Sequence, residues 1–302
     1  MKIDIGKILI VPTRSRYELE VERSSKEEAR KKFGDNGVWE HICEGHKTQK
    51  ENLKKVSNII GKQKIIFREL LSEENIKNND LFFFLGGDNH FTYCSQIILE
   101  YLRENPNEKK YVAGVVLDSG KSLGALLNFS FENFIELLKN PLNLKLGLEN
   151  WTVLEATISN GIVFPAVGDY FIGERERVFM SRNKAYLDGK EIVLDKSAGI
   201  LIVTGSGSGV GSWYNNVHNT YYGKSNVFGR EEEVANIILT ENESKTKIEL
   251  KKGQTLTIDS YNDDGGIIAP DSHLEHSADF SIGGRVEVKI SDLKLHVLKI
   301  IK

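Results

Sequence analysis

A continuous apolar run that ends in two glycines constrains the fold of this chain more than any other stretch. Residues 81–85 are five apolar residues without polar alternation, which is typical of a strand buried on both faces in a parallel sheet. Gly86 and Gly87 follow, and glycine permits both a tight turn and the close approach of another molecule to the backbone. Asp88 comes next, ahead of a helical pattern at residues 95–102. The stretch therefore predicts a parallel β-α unit with a carboxylate at the end of its strand.

Two interpretations of Asp88 are open at this point. Open α/β sheets bind ligands in the crevice at the carboxyl ends of their strands, so a carboxylate there is a candidate functional group. Alternatively, the segment is a glycine turn in which Asp88 only caps a helix, because short glycine motifs are common in proteins.

The chain changes its pattern near residue 141. Before that point, strands alternate with helical patterns, which predicts βαβ units and a parallel sheet. The predicted strands there are 7–11, 64–68, 81–85 and 111–117, the predicted helices are 17–32, 46–60, 95–102 and 131–139, and 73–79 is predicted to be an exposed connection. Afterwards short strands with glycine turns predict an all-β half, at 152–158, 186–187, 200–203, 247–250, 254–258, 285–290 and 295–298. We place the domain boundary near residue 145, giving domains 1–145 and 146–302, with the last residues allowed to return to the first domain.

The composition of the 302-residue chain excludes several classes of protein. A net charge of −3 argues against nucleic acid or a membrane surface as the main partner. Two cysteines, Cys43 and Cys94, have neither metal-ligand spacing nor a disulfide framework, which favours a reducing compartment. No stretch approaches the roughly 20 apolar residues of a membrane span, and the first residues lack a signal-peptide pattern. The expected location is the cytoplasm.

A second glycine-rich segment follows the predicted strand 200–203. Its residues Thr204, Gly205, Ser206, Gly207 and Ser208 alternate glycine with hydroxyl side chains. Backbone N–H groups and short hydroxyls on one concave surface are typical of an anion or phosphate nest. No lysine follows the last glycine, so the segment is not a P-loop. The alternative interpretation is a flexible surface loop.

The remaining polar clusters carry less information. Gly168 and Asp169 lie in a turn that would attract no notice by itself. His273 and His276, with Glu275 between them, are conceivable metal ligands, but the seven histidines show no HExxH-like spacing. A loop of hydrogen-bonded or solvated polar residues is the favoured interpretation, and we predict no metal site.

The order of these motifs resembles that of the NAD kinase superfamily, which also contains the diacylglycerol and sphingosine lipid kinases. A Gly-Gly-Asp strand end in an α/β half precedes an acidic turn and then a Thr/Gly/Ser loop after a β-strand. The resemblance is greatest to the mitochondrial-type NAD kinases. It covers most of the chain through short motifs. Residues 13–20 resemble that branch's Thr-Arg-Tyr-Glu segment, and residues 171–174 and 196–208 also match that branch. Residues 123–126 resemble the family's Leu-Gly-Phe-Leu, and residues 269–272 fall where the family usually has Asp-Gly.

The resemblance implies a fold, a reaction and a site. The fold would be an N-terminal Rossmann-like α/β domain and a C-terminal β-sandwich, with the active site in the cleft between them. Asp88 would be the general base for transfer of the γ-phosphoryl group of ATP, with Mg²⁺, to the adenosine-ribose 2′-hydroxyl of NAD. Asp169 would bind a nucleotide hydroxyl, and a homodimer or homotetramer is implied. The implied nucleotide-binding residues are Gly86, Gly87, Asn89, His90, Phe91, Gly168, Asp169, Thr204, Gly205, Ser206, Gly207 and Ser208.

The chain departs from the family pattern on the acceptor side. The family reads Gly-Gly-Asp-Gly-Thr, whereas Asn89 and His90 follow Asp88 here. The family's Asn-Glu pair is replaced by Gly168 and Asp169, which removes an amide and shortens the carboxylate side chain by one methylene. Because a site built from polar pairs discriminates strongly, these changes bear on the acceptor. The alternatives to an NAD kinase are a lipid-kinase-like or other-acceptor enzyme of the superfamily, and a non-catalytic nucleotide-binding protein.

Overall fold

A computed structural model describes the chain except for residues 1–4, 35, 118–123, 160, 177–178, 193–196, 223–226, 242–247, 264 and 302. Leu123, Lys196 and Lys247, which belong to segments named above, therefore lie outside the described residues. The chain forms two compact units. The first consists of Met1–Phe91, Lys110–Gly147 and Leu298–Lys302, and the second of Thr92–Lys109 and Leu148–Val297.

The first unit is built on parallel strands. Strand β1 (Ile8–Pro12) pairs with β2 (Leu81–Gly86), β2 pairs with β3 (Tyr111–Val116), and β3 pairs with the short β4 (Phe129–Ser130), all in parallel register. All five residues of the apolar run in β2 are buried, as predicted for a strand covered on both faces. The Rossmann-like α/β character predicted for this part of the chain is confirmed.

Helices supply the apolar groups that cover these strands. The helices are α1 (Arg16–Arg23), α2 (Lys26–Phe33), α3 (Val38–Ile60), α4 (Glu73–Asn78), α5 (Asp88–Glu104), of which the first four residues belong to this unit, and α6 (Phe131–Lys139). The buried ring of Phe83 packs against those of Phe129 and Phe134, at centroid distances of 5.8 and 4.9 Å. Val56 of α3 belongs to the same core. The stripe of apolar residues on α6 thus faces the sheet, as its helical spacing predicts.

Four predictions for the first part of the chain were wrong in detail. The helix predicted at 17–32 is two helices, because Ser25 begins α2 with a capping box that includes Glu28. The predicted strand 64–68 is absent from the described residues; short 3₁₀ turns lie at Lys62–Lys64 and Arg68–Leu70, and Ile65 makes a single bridge to Ile10. An apolar run of three residues is too short to specify a strand by its pattern.

The other two corrections concern helix starts. The exposed connection predicted at 73–79 is the helix α4. The hydroxyl of its N-cap, Ser72, accepts a hydrogen bond from the backbone N–H of Asn75, and the backbone N–H of Ser72 donates to Oδ1 of Asn75. The helix predicted from residue 95 begins at Asp88, directly after the glycines. In both cases a polar first turn conceals the helix from an argument based on apolar periodicity.

The second unit is dominated by antiparallel strands. Its strands are β5 (Leu146–Ile158), β6 (Gly161–Ala166), β7 (Asp169–Glu174), β8 (Asn183–Leu187), β9 (Lys190–Ile192), β10 (Gly199–Val203), β11 (Val234–Thr240), β12 (Ile248–Lys251), β13 (Leu256–Ser260), β14 (Gly266–Pro270), β15 (Ala278–Asp279) and β16 (Arg285–Ile300). One sheet has the strand order β12-β11-β10-β7-β14-β15. In the other, β16, β13, β8 and β9 pair in that order, and β5 pairs with β6 and β16. The strands predicted at 285–290 and 295–298 are one continuous strand, β16.

An apolar core lies between these two sheets. It contains Leu154 and Val286 from one sheet and Ile172, Ile202 and Ile237 from the other. The short helix α7 (Trp213–Val217) packs Tyr214 against the outer face of β10. The predicted all-β sandwich is confirmed for this part of the chain. Within the described residues, no helix is both long and apolar enough to cross a membrane.

Candidate functional site

Asp88 lies at the carboxyl end of β2, as the sequence predicts. It is the first residue of α5 and is half-buried. Its Oδ1 accepts a hydrogen bond of 2.9 Å from the backbone N–H of Leu126, and its Oδ2 accepts one of 3.2 Å from Ala125. Two backbone donors fix the orientation of the carboxylate. Because these donors belong to the segment after β3, the interaction is more than the capping of its own helix.

The residues after Asp88 attach the start of α5 to the strands. A ring nitrogen of the buried His90 lies 2.8 Å from the carbonyl oxygen of Val11, at the end of β1. Phe91 is buried and packs edge-on against Phe84, with 5.9 Å between ring centroids. A Cβ atom at Gly86 would lie 2.9 Å from the His90 ring, so the close packing of this ring favours glycine here. Asn89 is exposed.

The turn at Gly168 and Asp169 is organised by a residue that the sequence analysis did not select. Asp271 is buried, and its Oδ1 accepts from the backbone N–H groups of Gly168 at 2.6 Å and Asp169 at 3.1 Å. Its Oδ2 accepts from the N–H of Val167 at 2.9 Å and from Nε2 of Gln96 at 2.6 Å. Burial raises the pKa of Asp271, and these four donors oppose that shift.

Asp169 has an unusual protonation equilibrium for an aspartate. Burial, with the charge of Asp271 as a second cause, raises the pKa of its carboxyl group to about 8. Among the described residues, its Oδ1 is buried and has no hydrogen-bond partner. At neutral pH the side chain is therefore mainly a neutral acid, which can donate a hydrogen bond as well as accept one.

The structure places the loop of residues 204–208 against this turn. Thr204 donates through its backbone N–H to the carbonyl of Gly168 at 2.9 Å and through Oγ1 to that of Val167 at 2.7 Å. The hydroxyl of Ser206 also donates to the carbonyl of Val167, at 2.6 Å. Ser208 donates to the carbonyl of Gly205 at 2.8 Å. The acidic turn and the hydroxyl loop, which are 36 residues apart, thus form one cluster in the second unit.

Burial and close backbone contact define this loop. Thr204, Ser206 and Ser208 are buried, which contradicts the alternative of a flexible surface loop. A Cβ atom on Gly207 would lie 2.3 Å from the carbonyl oxygen of Gly168, and one on Gly205 would lie 2.0 Å from that of Gly229. The loop therefore alternates glycine with hydroxyl residues because the glycines allow backbone contact and the hydroxyls satisfy buried carbonyls. Its predicted contacts with a nucleotide stay predictions.

The two histidines considered as metal ligands have other contacts. Nδ1 of His276 hydrogen-bonds Oε1 of Gln96, and the ring is stacked between Tyr93 and Phe164, at centroid distances of 4.3 and 4.1 Å. Nε2 of His273 lies 2.8 Å from the hydroxyl of Thr92. Within the described part of the chain, no group of three or more His, Cys, Asp or Glu side chains is arranged to hold a metal ion.

The first unit also contains a cavity of about 280 Å³ beside the glycines of β2. Gly86 and Gly87 form part of its wall, and the remainder comes from the loop after β1, the first residue of α1, α3, and Leu117 after β3. The sequence analysis cited residues 13–20 only for their resemblance to a family motif. That these residues share a cavity with the two glycines follows from the parallel pairing of β1 with β2, which brings their carboxyl ends together.

Comparisons with known proteins identify the fold. No protein-family model and no curated protein matches the sequence. Among solved structures, the chain is similar to an NAD kinase from Archaeoglobus fulgidus in complex with ATP, with a TM-score of 0.59 and 15% identity, over 96% of this chain and 92% of that one. It is also similar to yeast NADH kinase complexed with NADH, with a TM-score of 0.64 and 13% identity, over 97% of this chain and 84% of that one. The predicted resemblance is confirmed for the fold, and the chain has the fold of the NAD kinases.

Proposed function

We propose that this protein is an ATP-dependent, NAD kinase-like phosphotransferase that phosphorylates the adenosine-ribose 2′-hydroxyl of NAD to give NADP. The observation that carries the proposal is the carboxylate of Asp88, held by the N–H groups of Ala125 and Leu126 at the carboxyl end of β2 in a chain with the NAD kinase fold.

Asp88 would act as the general base. An alcohol is a weak nucleophile at neutral pH, so removal of its proton as it attacks the γ-phosphorus of ATP lowers the barrier. The proton passes to the Asp88 carboxylate, the new bond joins the 2′-oxygen to the γ-phosphorus, and ADP departs as the leaving group. Mg²⁺ would arrive with ATP and be bound mainly by phosphate oxygens.

Asp169 is proposed to bind a hydroxyl group of the acceptor nucleotide. Its Oδ1 has no partner among the described residues and its pKa is raised to about 8, so a neutral Asp169 could donate to a ribose oxygen. The Asn-Glu pair of the family would instead offer an amide and a charged carboxylate. The replacement by Gly168 and Asp169 is therefore the main reason to test several acceptors, including NADH, to which one similar structure is bound.

The test is phosphoryl transfer from ATP and Mg²⁺ to NAD, NADH, diacylglycerol and sphingosine, with each product identified by chromatography. We expect NADP or NADPH as the product. Asp88→Asn should lower kcat by about 100-fold or more, the usual effect of losing a general base. Glu73→Gln is the matched control, because Glu73 is likewise an acidic first residue of a helix in the first unit and is exposed. Its turnover should equal that of the parent.

Three results would contradict the proposal. Parental turnover in Asp88→Asn would remove Asp88 from the mechanism. Transfer to a lipid acceptor in preference to NAD or NADH would favour the lipid-kinase-like alternative. A rise in melting temperature with NAD or ATP but no turnover with any acceptor would indicate a non-catalytic nucleotide-binding protein, since a ligand that binds only the folded state stabilises it whether or not it reacts.

A further inference from the structure

A second cavity, of about 470 Å³, lies in the second unit, where β7 and β15 end and β14 begins. These three strands are neighbours in one sheet. Most of the charged side chains that line the cavity are carboxylates, so we call it the acidic cavity. Its acidic lining residues are Glu174, Glu176, Asp263 and Asp279.

Glu174 is the most deeply buried of these carboxylates. It is the last residue of β7, and only 5% of it is exposed. Side chains alternate between the two faces of a strand, so Glu174 lies on the same face as Tyr170 and Ile172, which belong to the core between the two sheets. A Cβ atom on Gly265, another lining residue, would lie 2.6 Å from Oε2 of Glu174. The carboxylate therefore lies at the wall of the cavity on its core side.

The carboxylate of Glu174 has no hydrogen-bond or ion-pair partner among the described residues, although its backbone N–H donates to Oγ of Ser181 at 2.9 Å. Glutamate is almost never buried unless it is paired. Removal of a carboxylate from water without a compensating charge or donor is costly. A cationic ligand in the cavity would supply the counter-charge that the described residues lack.

The one basic residue of the lining does not supply this charge. Nη2 of Arg175 pairs with Asp279 at 3.1 Å, where both side chains are largely exposed. The carboxylates of Glu176 and Asp263 are also exposed, and neither forms an ion pair with a described residue. Four carboxylates and one guanidinium give the described lining a net charge of −3. The cavity therefore attracts cations.

The arrangement of these carboxylates suits an extended organic cation. In the part of the chain that the structure describes, they do not converge into a group that could hold a metal ion. Their charge is spread around a space of about 470 Å³, which is within the range of roughly 300–1,000 Å³ typical of small-molecule pockets. The ring of Phe179, which also lines the cavity, is 58% exposed and can contact methylene or ammonium groups.

We propose that the acidic cavity binds a linear aliphatic polyamine. One ammonium group binds the carboxylate of Glu174, the others bind Glu176 and Asp263, and the methylene groups between them pack on Phe179. Asp169 and Glu174 are the first and last residues of β7, about 17 Å apart along the strand. The site is therefore separate from the turn assigned to the acceptor nucleotide, and the inference does not depend on the proposed function.

Isothermal calorimetry of the full chain with spermidine, a triamine, tests the proposal in the absence of nucleotides. Diaminobutane, butylamine and butanediol keep a four-carbon chain and carry two, one and no ammonium groups, and Mg²⁺ serves as a compact divalent cation. We expect saturable binding that weakens from spermidine to diaminobutane to butylamine, with none for butanediol. Binding should also weaken as salt increases, because the interaction is between charges.

Glu174→Gln should weaken spermidine binding by about tenfold or more, because the buried partner of one ammonium group is lost. The matched control is Glu249→Gln, an exposed glutamate of β12 at the opposite edge of the same sheet, and it should bind as the parent does. Phe179→Ala should weaken binding by about twofold to fivefold, the effect of losing a cation–π contact at an exposed site. In urea denaturation Glu174→Gln should be at least as stable as the parent, since an unpaired buried charge is removed.

Several outcomes would overturn the proposal. These are no saturable binding of spermidine, equal spermidine affinity in Glu174→Gln and Glu249→Gln, or butylamine binding as tightly as spermidine. Mg²⁺ binding as tightly as spermidine, and equally weakened by Glu174→Gln, would assign the cavity to a metal ion. A destabilised Glu174→Gln would show that the carboxylate already has a partner in the folded chain.

One further variant separates this proposal from the proposed function. Asp88→Asn should keep the parental affinity for spermidine whatever its turnover, because Asp88 belongs to the first unit and the acidic cavity to the second. Loss of spermidine binding in Asp88→Asn would place the amine at the candidate active site and contradict the proposal. Absence of phosphoryl transfer in the parent, with spermidine binding that depends on Glu174, would contradict the proposed function alone.

Discussion

The backbone N–H of Gly168 donates a hydrogen bond of 2.6 Å to Oδ1 of Asp271. The same carboxylate accepts from Val167, Asp169 and Gln96, so one buried side chain satisfies three consecutive backbone donors and a side-chain amide. The turn that presents Asp169 is therefore shaped by a residue 102 positions further along the chain. Its shape depends on Asp271 more than on the local sequence.

Asp271→Asn should destabilise the second unit. The Asn amide would point a donor at two groups that are donors themselves, the N–H of Val167 and Nε2 of Gln96. Gln96 cannot rotate its amide without breaking the contact of its Oε1 with His276. Each buried donor without an acceptor costs about 1–3 kcal/mol, so we expect a loss of about 2 kcal/mol or more in the free energy of unfolding. Urea denaturation at pH 7 measures it.

The control for this variant is Asp279→Asn. The Asp279 side chain is 87% exposed and pairs with Arg175 at 3.1 Å. An exposed ion pair contributes only about 0–1 kcal/mol, so this variant should unfold nearly as the parent does. If Asp271→Asn and Asp279→Asn have equal unfolding free energies, the hydrogen bonds of Asp271 do not hold the turn.

Asp169 should make the stability of the fold depend on pH in the direction opposite to that of an ordinary paired aspartate. Its pKa is about 8 in the folded state, against a reference value of 3.8. Between these values the folded state binds more protons than the unfolded state, so stability falls as the pH rises from about 4 to 8 and changes no further above that. Asp169→Asn removes this slope and should gain stability relative to the parent as the pH rises.

Urea denaturation of the parent and Asp169→Asn at one-unit intervals from pH 5 to pH 9 checks this prediction. The difference between the two proteins is the relevant quantity, because other titrating groups contribute equally to both. A difference that does not change with pH would show that Asp169 titrates near its ordinary pKa in the folded protein.

The sequence predicted the elements that have strong local patterns. The apolar run of β2, the stripe of α6 and the antiparallel second half all followed from the spacing of apolar residues. It failed at α4 and at the start of α5, where a capping interaction or a polar first turn decides the boundary. Element type is set locally by pattern, whereas helix starts depend on hydrogen bonds that the apolar pattern does not reveal.

The candidate site residues could be selected from the sequence, whereas their protonation could not, and their roles in binding and catalysis stay predictions. Asp88, Asp169 and the glycine loop were selected from motif order. The raised pKa of Asp169 could not be, because it arises from burial and from Asp271, which is distant in sequence. The signal that could have identified Asp271 is its position in the segment 269–272, which was matched to a family motif and then left without a role.

Gly207 should tolerate no side chain. A Cβ atom there would lie 2.3 Å from the carbonyl oxygen of Gly168, and the neighbouring atoms are backbone, which cannot move away as a flexible side chain can. Overpacking of a buried site costs about 1–3 kcal/mol, and we expect Gly207→Ala to lose that much in the free energy of unfolding. Gly209→Ala is the matched control, since a Cβ atom at Gly209 would meet nothing within 4 Å. Equal stability of the two alanine variants would contradict the close contact of the loop with the turn.

His46, in the first unit, should make stability depend on pH in the direction opposite to that for Asp169. Burial lowers the pKa of this histidine from 6.5, Lys50 lowers it further and Glu18 opposes the shift, while the ring stacks on Tyr17. The unfolded state therefore binds more protons than the folded state as the pH falls below about 6.5, so the contribution of His46 to stability is present above that pH and is lost on acidification. His46→Gln should flatten the rise of unfolding free energy between pH 5 and pH 7, whereas His41→Gln, at an exposed position of the same helix, should leave it unchanged. Parallel pH profiles of unfolding free energy for the parent and His46→Gln would mean that the imidazole is as well solvated in the folded protein as in the unfolded chain. They would also argue against the fixed contact between His46 and Ser15.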